Sequence, residues 1–147
     1  MQGMKVNDDI TVAGQITPDD LQDAADAGFK SVLNLRAPLE SGFLTEEPQL
    51  AANAGLCYAN IPVTKDALND DLTTQVLSEI DALPKPLLVH CAAGMRAGAM
   101  ALMNVATRSR MSAKQAMEKA QAMGFDCNSE PELKAYFEHY VDSHQKQ

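Results

Sequence analysis

Three residues capable of joint chemistry stand close together in Leu87–Gly98, LLVHCAAGMRAG: Cys91, Gly94 and Arg96. A cysteine thiolate is a nucleophile, and the planar arginine fork can hold two oxygens of one oxyanion. Glycine admits positive φ or close approach of its backbone to a ligand. A strand ending at Cys91, followed by a tight loop and a helix beginning near Arg96, gathers backbone N–H groups and the helix dipole around one point. That arrangement binds anions and favours the thiolate over the thiol.

The anion-binding loop is therefore read as Ala92, Ala93, Gly94, Met95, Arg96 and Ala97, with the two alanines keeping it small. Burial for packing alone is a common fate for cysteine, but packing does not explain a glycine and an arginine at these intervals. A cation in the first turn of a helix is unfavourable unless an anion lies nearby, which supports the same reading independently. His90 is read as a structural hydrogen-bonding residue that shapes the loop.

Alternating strands and helices must position this loop. Strand character is read at Ile10–Gly14, over 30–35 (KSVLNL), over 56–63 (LCYANIPV) and at Leu87–His90, whose continuous apolar run suits a central strand covered on both faces. Helices are predicted from Thr17, over 46–54, from Asn69 to Leu83, from Arg96 to about Arg110, from Ser112 to Met123, and from a Ser129–Glu132 capping box to about Val141. Strands linked by helices imply an α/β fold with a mostly parallel central sheet, helices on both faces and right-handed crossovers. Sites in such sheets form at the carboxyl ends of strands, where His90 and Cys91 lie.

The 147 residues fit a single domain, 1–147, large enough to fold without disulfides or metals. A net charge of −8 opposes nucleic acid and anionic membrane surfaces, so an anion site must be local. The apolar runs are shorter than a membrane span, and the start MQGMKVNDD has no signal-peptide core. These features predict a soluble, cytoplasmic protein without nucleic-acid or membrane partners.

Cys57, Cys91 and Cys127 contain no CxxC pair, and His139 and His144 sit in a polar tail read as solvated, so no metal site is predicted. Cys57 and Cys127 are read as core or near-surface thiols. The methionines at helical spacings are read as packing. With 5% aromatic residues and no tryptophan, the sequence points to no deep aromatic pocket.

In the order ITVAGQITPDDL, GFKSVLNLR, YANIPV and LLVHCAAGMRAG, most of the chain resembles the compact dual-specificity branch of the cysteine-dependent protein phosphatases. It is most similar to a bacterial phosphatase-like family that also supplies a domain of the beta-lactamase-hydrolase-like proteins. The resemblance implies a cysteine-phosphatase architecture, with Cys91 attacking phosphorus, the loop amides and Arg96 holding phosphoryl oxygens, and a phosphocysteine intermediate. It also implies a general acid on the loop after YANIPV, where Asp66 stands; Asp70 and Asp71 are competitors better explained as helix caps. Arg36 and Glu40 are placed as a supporting ion pair or as part of the same mouth.

The phosphatase loop has five residues between cysteine and arginine, whereas four separate Cys91 from Arg96, a length similar to the rhodanese loop. Phosphatases also usually place Ser or Thr where this chain has Ala97. Three expectations follow: a phosphatase acting on a phosphorylated small molecule or phosphoprotein, a sulfurtransferase carrying a Cys91 persulfide from a sulfur donor, or a non-catalytic anion-binding module. None requires a metal or organic cofactor.

Overall fold

The computed structural model describes residues 3–64, 68–125 and 130–144. Among these residues five strands form one sheet: β1 (Gly3–Lys5), β2 (Ile10–Ala13), β3 (Ser31–Asn34), β4 (Cys57–Asn60) and β5 (Leu87–His90). Their order is β1-β2-β5-β3-β4, with β1 antiparallel to β2 and the other pairs parallel. The mostly parallel α/β sheet expected from the sequence is therefore present.

Among the described residues six helices accompany it: α1 (Pro18–Asp26), α2 (Glu47–Asn53), α3 (Asp70–Ala82), α4 (Met95–Arg108), α5 (Ala113–Met123) and α6 (Pro131–Ser143). Their ends follow local chemistry. Thr17 and Asp20 form a reciprocal capping box at α1, Asn69 accepts from the Leu72 amide at α3, and Ser112 pairs with Gln115 at α5. At α6 the N-cap is Glu130 without a side-chain cap bond, and Ser129 of the predicted capping box lies outside the described residues.

The two-residue period of the strands distributes their side chains between two cores. Leu33, Leu87 and Val89 join the larger one, which α3, α4, α5 and α6 help to fill. Val32 and Leu88 face the smaller one with Leu21 and Ala24 of α1 and Ala51 of α2. All four residues of β5 are buried, as its apolar run requires of a central strand.

Three sequence expectations change. The start of the chain supplies an edge strand, β1, joined to β2 by a turn in which the Asn7 carboxamide accepts from the Asp9 and Ile10 amides. Strand β4 stops at Asn60, although the Ile61 and Val63 amides still bond to the Asn34 and Leu35 carbonyls. His144 is not simply solvated: it stacks on Tyr140 at 3.9 Å between ring centres. No helix among the described residues is long and apolar enough to cross a membrane.

Candidate active site

Strand β5 delivers His90 and Cys91 to the carboxyl edge of the sheet, between β2 and β3. The Cys91 amide bonds to the Ala13 carbonyl at 3.2 Å, and the Leu35 amide bonds to the His90 carbonyl at 2.9 Å. Both neighbouring strands therefore fix where the chain leaves the sheet. Four residues later α4 begins.

The turn between them needs glycine. Gly94 is the N-cap of α4 with φ +92°, a left-handed conformation that costs residues with a Cβ. This conformation lets the Gly94 N–H donate to Cys91 Sγ at 3.1 Å, and the Ala97 N–H donates to the same sulfur at 3.4 Å. The Cys91 side chain is buried but lines a cavity of about 540 Å³. Two amides at a helix N-terminus thus converge on one thiol, as an anion-stabilising loop requires.

A second glycine, Gly14, supports the loop from behind. A Cβ at Gly14 would stand 2.9 Å from the Ala92 carbonyl oxygen, while the next amide, Gln15 N–H, donates to that oxygen at 3.0 Å. In the sequence alone Gly14 marks only a strand end. Gly14→Ala should displace the loop and lower turnover by up to about 10²-fold, because small errors in the placement of reacting groups are costly. Steady-state kinetics will show this as a fall in kcat.

Arg96 lies on the first turn of α4, and the anion beside it is Glu40. Its Nη1 and Nη2 donate to the two Glu40 carboxylate oxygens at 2.8 and 2.9 Å, and Nη1 also donates to the Val63 carbonyl at 2.8 Å. Arg36, almost fully buried, braces this arrangement from the other side. Its Nε donates to Glu40 at 3.2 Å, and its Nη atoms bond to the Gln15 side chain and to the Ser41 and Gly42 carbonyls. Arg36 and Glu40 therefore form an ion pair, and Arg96 makes it a chain of three charges.

The hydrogen bonds from Arg96 hold the Glu40 carboxyl down at about 2, against the opposing effect of burial and with help from the Ala37 amide and Arg36. Such a group is ionised at neutral pH and cannot donate a proton there. A lowered folded-state value stabilises the fold fully above the ordinary 4.5 and less as the pH falls toward 2. Between these limits the wild-type melting temperature should fall more steeply than that of Glu40→Gln. Parallel curves from thermal melts would contradict the assignment.

The remaining cavity wall is apolar at Leu68, Met100, Leu133 and Tyr136 and polar at Thr64, Glu130 and Glu132, the two glutamates standing at the start of α6. Helix α6 brings one aromatic side chain, Tyr136, to this wall from 45 residues beyond Cys91 in the chain. The Tyr136 hydroxyl donates to Asp70 at 2.9 Å and lies 2.8 Å from the Thr73 hydroxyl, joining α6 to the start of α3. Asp70 is thereby occupied. Asp66 lies outside the described residues, although its flanking neighbours Thr64 and Leu68 both line the cavity.

Ala92 and Ala93 are exposed on the loop and line the cavity, as does Met95, which opens α4. Cys57 is exposed and free, and Cys127 lies outside the described residues. Among the described residues no group of three His, Cys, Asp or Glu side chains is arranged to hold a metal ion.

Comparison with known proteins gives a consistent likeness. The model of a family described as "Beta-lactamase hydrolase-like protein, phosphatase-like domain" matches residues 4–108. The beta-lactamase hydrolase-like protein of Agrobacterium fabrum is 27% identical over 130 residues, which are 86% of this chain and 30% of that protein. The chain thus spans less than a third of that relative. A dual specificity protein phosphatase of Vaccinia virus is 33% identical over 95 residues, 60% of this chain and 50% of that one. A DUF442 protein from Shewanella putrefaciens has the same fold, with a TM-score of 0.83 and 21% identity over 97% of this chain and 92% of that one.

Proposed function

The chain belongs to the family of phosphatase-like domains found in beta-lactamase hydrolase-like proteins, and from that membership we propose that it hydrolyses phosphate monoesters through a phosphocysteine on Cys91. The observation that carries this reading is the convergence of the Gly94 and Ala97 amides on Cys91 Sγ, inside a cavity that Arg96 also lines. The Cys91 thiolate attacks phosphorus, an S–P bond forms, and the P–O bond to the alcohol breaks. Water then cleaves the S–P bond, releasing inorganic phosphate and restoring the thiolate.

Charge develops on the phosphoryl oxygens during each step, and preorganised N–H groups and the Arg96 guanidinium are suited to stabilise it. The leaving alkoxide needs a proton and the attacking water must lose one. Asp66 takes both roles in this proposal. Its support is the cavity-lining position of Thr64 and Leu68, two residues to either side of it in the chain, while Arg96 holds Glu40 ionised and Asp70 accepts from Tyr136. The proposed mechanism uses no cofactor.

Leu68, Met100, Leu133 and Tyr136 suit an ester whose organic part is apolar or aromatic, whether a small molecule or a phosphoprotein side chain. The four-residue interval from Cys91 to Arg96 favours one other reading, sulfur transfer through a Cys91 persulfide. Side-by-side assays of the purified protein separate the two. Phosphate release from an aryl phosphate, without thiocyanate formation from thiosulfate and cyanide, is the expected result. The reverse pattern would establish the sulfurtransferase, and neither activity would leave an anion-binding module.

A further inference from the structure

We propose that Glu47 is a positioning residue of the Cys91 site, acting through His90. The proposal rests on the reading of Cys91 as the nucleophile. Glu47 opens α2, 43 residues before His90, yet its Oε2 lies 2.5 Å from His90 Nε2, and both side chains are completely buried. The other ring nitrogen, Nδ1, faces the Cys91 carbonyl oxygen at 3.5 Å, the outer limit of a hydrogen bond. A continuous line thus runs from a helix on one face of the sheet to the backbone of the nucleophile.

The chemistry of the ring fixes its protons. A carbonyl oxygen only accepts, so the nitrogen facing Cys91 must carry a hydrogen for the contact to be attractive. With Nδ1 protonated, Nε2 meets Glu47 either as an acceptor from a carboxylic O–H or as a donor to a carboxylate. In both forms one proton lies on the Glu47–His90 axis and the pair is neutral overall. Removing Glu47 frees the ring to rotate or change tautomer, and the Cys91 carbonyl loses its donor.

Packing alone does not call for a carboxylate here. Glu47 Oε1 is buried without a hydrogen-bond partner among the described residues, a cost that an apolar side chain of similar size would avoid. The backbone around His90 is held by Leu35 and Ala13 without any contribution from the ring. The carboxylate is instead suited to fixing the plane of the Cys91–Ala92 peptide, from which the loop sets out toward Gly94. A turned peptide would draw the Gly94 and Ala97 amides away from Sγ.

Two variants test this, each measured for iodoacetamide alkylation of Cys91 at pH 7 and for aryl-phosphate kcat and KM. Glu47→Leu keeps the volume and removes the acceptor; it should lower alkylation and kcat each about tenfold with KM unchanged. Glu47→Gln can donate an amide N–H to Nε2 and so keeps the Nδ1 proton; its losses should stay below about threefold. Folded Glu47→Leu with wild-type alkylation and kcat, or Glu47→Gln as impaired as Glu47→Leu, would overturn the proposal.

Should Glu47→Leu fail to fold, the NMR signal of a slowly exchanging His90 Nδ1 proton in the wild-type protein decides the question, and its absence refutes the role of Glu47. Alkylation reads the thiol without turnover. A protein that hydrolyses no phosphate ester but shows these alkylation differences would therefore refute the phosphatase reading while retaining Glu47 as a positioning residue.

Discussion

Cys91→Ser is expected to reduce aryl-phosphate hydrolysis by about 10⁴-fold or more while leaving the melting temperature within a few degrees of wild type. The serine hydroxyl is a far weaker nucleophile at neutral pH, because it holds its proton much more tightly than a thiol does. The Gly94 and Ala97 amides point at the sulfur and offer hydrogen bonds to it; they cannot take a proton from a hydroxyl. The buried volume changes little, and both amides retain an acceptor. Steady-state assays paired with thermal melts will read this effect, and a serine variant with activity near wild type would remove Cys91 from the chemistry.

Arg96→Lys has the second largest expected effect, a loss of about 10²–10³-fold in kcat/KM. Both Arg96 Nη atoms are committed to Glu40 and one of them also to the Val63 carbonyl, so the guanidinium is held in one orientation beside the loop. A lysine offers a point charge on a flexible stem and cannot reproduce that fork. Glu40 would lose its two-oxygen partner and keep only Arg36 and the Ala37 amide. A stability loss of about 1–3 kcal/mol should therefore accompany the kinetic defect. Michaelis–Menten measurements and denaturant titrations together distinguish the two effects; near-normal kcat/KM would show that Arg96 serves Glu40 alone.

The parts of the site that were legible in the sequence are those whose signals are local. A three-residue apolar run, Leu87–Val89, marks β5, a glycine just before the next helix marks the left-handed N-cap, and a cation on the first turn of α4 calls for an anion. That anion is Glu40, which the sequence places with Arg36, as an ion pair or at the same mouth, without naming Arg96 as its partner. The link from Glu40 to Arg96 spans 56 residues and depends on how the β3 loop folds back over the sheet edge.

Long-range partners left no comparable trace. Gly14 and Glu47 look like an ordinary strand end and an ordinary first-turn acid, and only the neighbouring positions of β2, β5 and β3 bring them to Cys91. The wall from α6 was hidden for a different reason. Leu133 and Tyr136 follow an amphipathic pattern that reads as core, and Phe137, Tyr140 and Val141 of the same helix are indeed buried there. Strand β1 was missed because three residues with one half-buried side chain, Met4, carry too little periodicity to mark a strand.

The central claim is that Cys91 itself carries the phosphoryl group during turnover. Acid quenching of the protein during steady hydrolysis of an aryl phosphate, followed by mass analysis of the peptide containing Cys91, tests it directly. The account predicts one added phosphoryl group on Cys91 that disappears when the substrate is exhausted. Continued phosphate release with Cys91 unmodified throughout, or with a phosphoryl group on another residue, would contradict it.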